Sequence, residues 1–211
     1  MYIKFMSSSY LYLALKALAD ATKEVIEEEK VQKAGKTIQT CSIVSAASGL
    51  GASLFPGGSL VLTAVAVGAV WTMYVKINKD LGISISDNTL KSFASAILSN
   101  IITSAGSIIV ALAVTTILSV IPVLHFLSVP AQATVAYLSV FSAGILYIKF
   151  LTKMFKAKGS FDTSNVDVKQ AAKDVVSETD MKSMLEDVKK SYKEDKSKID
   201  EAKKEQDSKD K

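Results

Sequence analysis

The chain has no arginine: all 25 of its basic residues are lysine. Arginine is the side chain that most often reads base edges and grips phosphate with a planar fork, so its absence argues against a nucleic-acid partner. There is one cysteine, Cys41. It excludes an internal disulfide and, among small apolar neighbours, reads as a buried small hydrophobe rather than a nucleophile. The one histidine, His125, has no cysteine or carboxylate near it in sequence to complete a metal site, so it reads as a solvated or hydrogen-bonded loop residue. The absence with the widest consequence is of charge. Thr37–Val75 (39 residues) and Ser92–Ile148 (57 residues) contain no Asp, Glu, Lys or Arg, and all 46 charges lie outside them. A soluble amphipathic helix carries a polar stripe along its length, and these blocks read instead as membrane-associated.

All three prolines fall inside the uncharged blocks, in the turn-like stretches that divide each block into a pair of helices. "SLFPGGSL" places Pro56, Gly57 and Gly58 between apolar helices over 37–54 and 59–77. "IPVLHFLSVPAQ", bracketed by Pro122 and Pro130, separates helices over 92–121 and 131–149. A turn without charge fits the tip of a hairpin pushed into or across a bilayer, where each Lys or Asp costs about 3 kcal/mol on insertion scales. Trp71 and Tyr74 just before Lys76, and Tyr147 just before Lys149, stand where an aromatic belt would lie. Gly49, Gly68 and Gly144 are expected to let helices approach closely, and Asn100 and Gln132 to hydrogen-bond across helices.

The flanking segments differ. Leu11, Leu15 and Leu18 form a helical seam that continues through Thr22 to Val25, so residues 9–36 read as one amphipathic helix. Its N-terminal end is read as mature sequence, because Lys16 and Asp20 interrupt any leader-like apolar run. Asp87 is the expected N-cap of the third apolar helix. After a linker over 159–165, Met181, Leu185, Val188, Tyr192, Ile199 and Ala202 keep a heptad-like spacing interrupted by Asp195. This pattern predicts a thin-seamed helix or weak coiled coil, with a disordered "KEQDSKDK" at the end. Three segments result: a cytoplasmic amphipathic helix (1–36), a membrane hairpin domain (37–155) and a charged cytoplasmic tail (156–211).

The lysines cluster before residue 37, from Lys76 to Lys91, from Lys149 to Lys158 and in the tail, and both proline turns have none. By the positive-inside rule both termini and the central loop are cytoplasmic. Four spans in two hairpins satisfy this, as do hairpins that dip into the bilayer without crossing. A soluble bundle with a long buried core is the third arrangement.

Catalytic motifs do not emerge. "AGKT" (Ala34–Thr37) ends like a phosphate-binding loop, but Lys30 stands where that pattern needs glycine and a charged segment, not a strand, precedes it. The uncharged blocks hold no paired carboxylates, Ser/His/Asp set or metal-ligand cluster, and no intramembrane carboxylate or lysine of the kind an ion-coupled transporter uses. The expectation is a protein with no enzymatic activity, cofactor or metal.

Residues 34–155 resemble a known family on "AASGLGASLFPGGS", "LTAVAVGAVWTMYVKINKDLGISIS", "LKSFASAI", the "IP" turn and "ATVAYLSVFSAGILYIKFL". It is the helical membrane-associated domain of unknown function found with bacterial Era-like small GTPases and in stand-alone inner-membrane proteins. The resemblance implies a multi-pass protein of the cytoplasmic (inner) membrane linked to a GTPase, which would here be a separate partner. The sequence reading is therefore an all-α protein of two apolar hairpins, four membrane-associated helices in all, flanked by amphipathic terminal helices. It would serve as an anchor or docking module for a cytosolic partner such as a small GTPase. The alternative is a pore-forming or toxin-like protein whose hairpins insert on demand, motivated by the Ser/Thr-rich faces of the third and fourth apolar helices.

Overall fold

The computed structural model describes the backbone of residues 8–48, 60–118 and 129–209, and the side chains of 8–48, 65–113 and 131–208. The described residues form eight helices: α1 (Ser9–Thr22), α2 (Glu28–Ala47), α3 (Leu60–Leu81), α4 (Asp87–Leu118), α5 (Val129–Lys158), α6 (Val168–Ser177), α7 (Met181–Glu194) and α8 (Lys196–Lys209).

The centre is α5. It packs against α1, α2, α3, α4, α6 and α7, and from Ala131 to Leu151 only Gln132 and Lys149 are not fully buried. Its sequence suits that place. Ala133, Ala136, Ser139, Ala143 and Gly144 keep the helix thin, while Tyr137, Phe141 and Tyr147 fill the space between its neighbours. A helix apolar on every side belongs in a protein core or in a bilayer.

Polar pairs fix the directions of the other helices. The Tyr74 hydroxyl donates to the Ala143 carbonyl at 3.0 Å and the Tyr147 hydroxyl to Asn78 Oδ1 at 2.6 Å, so α3 and α5 run parallel. Lys33 Nζ lies 3.1 Å from Asp80 and Thr37 donates to the same carboxylate, so α2 starts where α3 ends. Phe93 and Phe150 have ring centroids 4.3 Å apart, so α4 runs antiparallel to α5. The end of α2, the start of α3, the end of α4 and the start of α5 therefore share one end of the bundle. The lysine-bearing ends of these helices share the other.

Several expectations change. Two helices among the described residues, not four, are long and apolar enough to cross a membrane: Asp87–Ala113 in α4 and Ala131–Lys158 in α5. The first expected span is instead the latter part of α2, a helix that begins at Glu28 and carries Lys30, Lys33 and Lys36. The helix expected over 9–36 breaks after Thr22, whose carbonyl accepts both the Val25 and Ile26 N–H groups at 2.8 Å. The break reverses the chain, so that the Leu11–Leu18 and Val31–Ile38 stripes both reach α5. Val25, expected in the seam, is exposed, and Ile26 is buried in its stead.

Ser86, not Asp87, caps α4: its hydroxyl accepts from the Thr89 N–H at 3.2 Å, while Asp87 occupies the first turn. There a carboxylate still complements the helix dipole. Gly82, at φ +71°, closes α3 with a bond from the Ile83 N–H to the Asn78 carbonyl, a left-handed position that suits glycine. The tail is helical to Lys209, through most of the stretch expected to be disordered. It is packed on the apolar helices rather than standing apart from them: α6 and α7 on α4 and α5, and α8 on α2.

Candidate functional site: the sheathed helix and its clasps

The candidate site is the contact between α5 and the helices that cover it. Amphipathic spacing brings the cover into place. Leu11, Leu15 and Leu18 of α1 are buried, as are Met184, Leu185, Val188 and Tyr192 of α7 and Ile199 of α8. The heptad-like seam of the tail is thus real, and its partner is the chain's own core. Asp195 interrupts the seam because the helix breaks there, between α7 and α8.

Two carboxylates act as clasps, one between covering helices and one from the cover to the core. Asp187 of α7, buried, accepts from the Ser8 hydroxyl at 2.7 Å and the Tyr10 N–H at 3.1 Å, which ties the start of α1 to the tail. Ser8 in turn caps α1 by accepting from the Leu11 N–H. Asp195 is only 1% exposed. It accepts from the Tyr137 hydroxyl of α5 at 2.7 Å, from Gln39 Nε2 of α2 at 2.8 and 2.9 Å and from Lys198 Nζ at 2.8 Å. The bonds from Ser8, Tyr10, Tyr137 and Gln39 join helices far apart in sequence. Burial raises the Tyr192 phenol, whose ring packs edge-on to Tyr137, above its ordinary value.

A third set lies toward the lysine-rich end. Lys149 Nζ donates to Thr179 Oγ1 at 2.9 Å, and Lys153 Nζ lies 2.6 Å from Glu178 Oε1. Both join α5 to the α6–α7 junction, and Lys149 also lies over the Tyr10 ring at 5.7 Å.

The outer face of α4 has a different character. Lys91, Ser95, Ser99, Thr103, Ser107 and Ala111 recur every fourth residue and are exposed. Thr103 donates to the Ser99 carbonyl at 2.8 Å and the neighbouring Ser104 to the Asn100 carbonyl at 2.6 Å. Asn100, expected to bond across helices, bonds the Ala96 carbonyl of its own helix.

The residues singled out from the sequence fall as follows. Pro56, Gly57, Gly58, Pro122, Gly49 and His125 lie outside the described residues. Pro130, expected in a turn, lies in the first turn of α5, where its missing N–H breaks no helical bond. A Cβ on Gly144 would stand 2.6 and 2.8 Å from the two γ-carbons of Ile38, so α2 and α5 touch there because the residue has no side chain. A Cβ on Gly68 would meet nothing within 4 Å, so no close approach depends on it. Cys41 is half-buried. No group of three His, Cys, Asp or Glu suited to a metal occurs among the described residues. Asp187, Asp195 and Tyr137 were not singled out as functional. The signal that could have found them was the carboxylate set into, or interrupting, an otherwise apolar seam.

Comparison with protein-family models, with curated proteins and with solved structures finds no match to this chain.

Proposed function

We propose that this chain is a non-catalytic membrane-associating protein that stores one apolar, span-length helix, α5, inside a water-compatible bundle, and inserts the α4–α5 pair into a bilayer when the covering helices let go. One observation carries the reading: the most apolar window of α5 is 94% buried, against 33% for α4. As folded, α5 offers lipid no face. Nor does immersing the closed bundle fit the chemistry. Asp195 meets Tyr137, which precedes Lys149 by about 18 Å of helix. If Lys149 marks the interface, Asp195 and Lys198 lie deep in hydrocarbon, at about 2.5–3.5 kcal/mol for each charged side chain on insertion scales. Opening removes that cost, since α7 and α8 stay in water while the uncharged stretch of α4 and α5 enters lipid. Lysines flanking that stretch, Lys91 and Lys149, then face the cytoplasm with both termini, on the inner membrane.

A second reading is an anchor whose terminal helices dock a cytosolic partner. The Met184–Tyr192 stripe of α7, once free of α5, supports it. A small GTPase as that partner rests on the family resemblance alone.

A disulfide tests the opening. Position 144 faces Ile38 across the α2–α5 contact, which makes the two positions the pair to cross-link. In a Cys41→Ser background, Ile38→Cys with Gly144→Cys locks α5 to α2. Reduced, the protein should float with anionic phospholipid vesicles; oxidised, it should remain in solution. Equal flotation of the two forms rules the opening out. Release of trapped dye identifies a pore, and flotation without release an anchor.

A further inference from the structure

An open groove of about 670 Å³ runs between α1, the last three turns of α5 and the α6–α7 junction. Its walls come from Leu13, Ala14 and Ala17 of α1, Ala157 of α5 and Val175 of α6. Leu13 is 60% exposed, among the largest hydrophobic exposures in the described chain, and it belongs to this wall. Three lysines one helical turn apart, Lys149, Lys153 and Lys156, line the α5 side, against one acid, Glu178. The volume falls within the roughly 300–1,000 Å³ usual for small-molecule sites.

From this juxtaposition of an apolar trough and a row of ammonium groups, we infer that the groove binds a single-chain anionic amphiphile, a fatty-acid anion. Its chain lies along Leu13, Ala14 and Val175, and its carboxylate takes Lys149 and Lys153. Charge complementarity selects the occupant: a neutral lipid leaves the lysines unused, and a small anion leaves the trough in water. Tyr10, under the Lys149 ammonium, closes one side of the headgroup site.

The site has a consequence for the bundle. Lys149 and Lys153 are the two side chains that hold α5 to Thr179 and Glu178. A bound carboxylate competes for both, so occupancy loosens the α6–α7 cover. Binding itself does not require the proposed insertion, because the groove is present in the closed form. Its coupling to opening does rest on that reading.

The experiment is titration of the full chain with oleate, below its micellar concentration, by calorimetry. Oleyl alcohol and inorganic phosphate supply the chain-only and headgroup-only arms. Oleate is expected to bind once, with oleyl alcohol and phosphate each at least about tenfold weaker. Lys149→Gln with Lys153→Gln should weaken oleate at least about tenfold and leave oleyl alcohol unchanged, and Leu13→Gln, on an exposed side chain, should weaken both amphiphiles. Circular dichroism confirms that each variant is folded. The oxidised Ile38→Cys/Gly144→Cys protein should bind oleate as the reduced one does, so loss of vesicle insertion and loss of oleate binding are read separately. Equal binding of oleate and oleyl alcohol, insensitivity to the lysine pair, or binding to anionic vesicles with none to oleate overturns the site.

Discussion

At the scale of single residues, Gly144 and Asp195 hold the most interpretable positions. A methyl group on Gly144 collides with the branched, stiff side chain of Ile38. Gly144→Ala should therefore destabilise the bundle by about 1–3 kcal/mol in urea unfolding, and adding Ile38→Ala should recover less than a full additive loss. Gly144 and Gly68 look alike in the sequence, small residues in apolar helices. Only the fold shows that one faces a neighbouring helix and the other open space, because smallness is a local property and what it faces is not. Asp195→Ala leaves the Tyr137 hydroxyl and the Gln39 amide without their acceptor. The expected loss is about 1–3 kcal/mol, with faster amide exchange in α8 than in α3. Tyr137→Phe, which removes one donor and keeps the ring, should cost less, about 1 kcal/mol.

At the scale of elements, the apolar stripes were legible and their partners were not. The seams of α1 and α7 follow from spacing alone. That the α7 seam lies against α5 of the same chain, not against a second coil, depends on contacts between residues such as Tyr192 and Tyr137 that no local pattern encodes. Charge-free length gave the wrong number of candidate spans for a similar reason: α2 joins a lysine-bearing start to an apolar end, and only the first break, at Thr22, fixes where it begins. The exposed Ser/Thr face of α4 predicts a specific response. Ser99→Leu with Thr103→Leu should leave the melting temperature nearly unchanged, since neither side chain packs. It should produce concentration-dependent association in sedimentation by adding an apolar patch.

The cap of α7 supplies the pH case. Hydrogen bonds from the Ser183 N–H and hydroxyl hold the Asp180 carboxyl below its ordinary value of 3.8. A depressed carboxyl stabilises the fold above that ordinary value and loses the contribution as pH falls through the lower folded value. An acid titration followed by circular dichroism should show this step in the natural chain and lose it in Asp180→Asn.

At the scale of the whole molecule, the bundle has two unlike ends and one enclosed axis. The lysine-bearing ends of α3, α4 and α5 gather at one end, and the uncharged ends of both helical pairs at the other. The C-terminal helices α6 and α7 cover part of α4 and part of α5. Ending the chain after Lys158 should therefore uncover apolar surface on α4 and α5 together. The shortened protein is expected to move to the membrane fraction and to bind a hydrophobic dye that the full chain does not; its recovery as a dye-silent soluble protein would show that the cover is dispensable.

The position of that cover in the chain also sets a clock. Synthesis runs from α5 to α6–α8, so α4 and α5 are complete before the C-terminal helices that cover part of them exist. At roughly 5–20 residues per second, the stretch from Gly159 to Lys209 takes a few seconds to make. In that interval α4 and α5 are available to any insertion machinery the ribosome has engaged. If the proposed insertion holds, the rate of translation, as well as the energies of the finished fold, divides copies between a closed bundle and an inserted one. Slowing the ribosome within the tail should shift the division between the two.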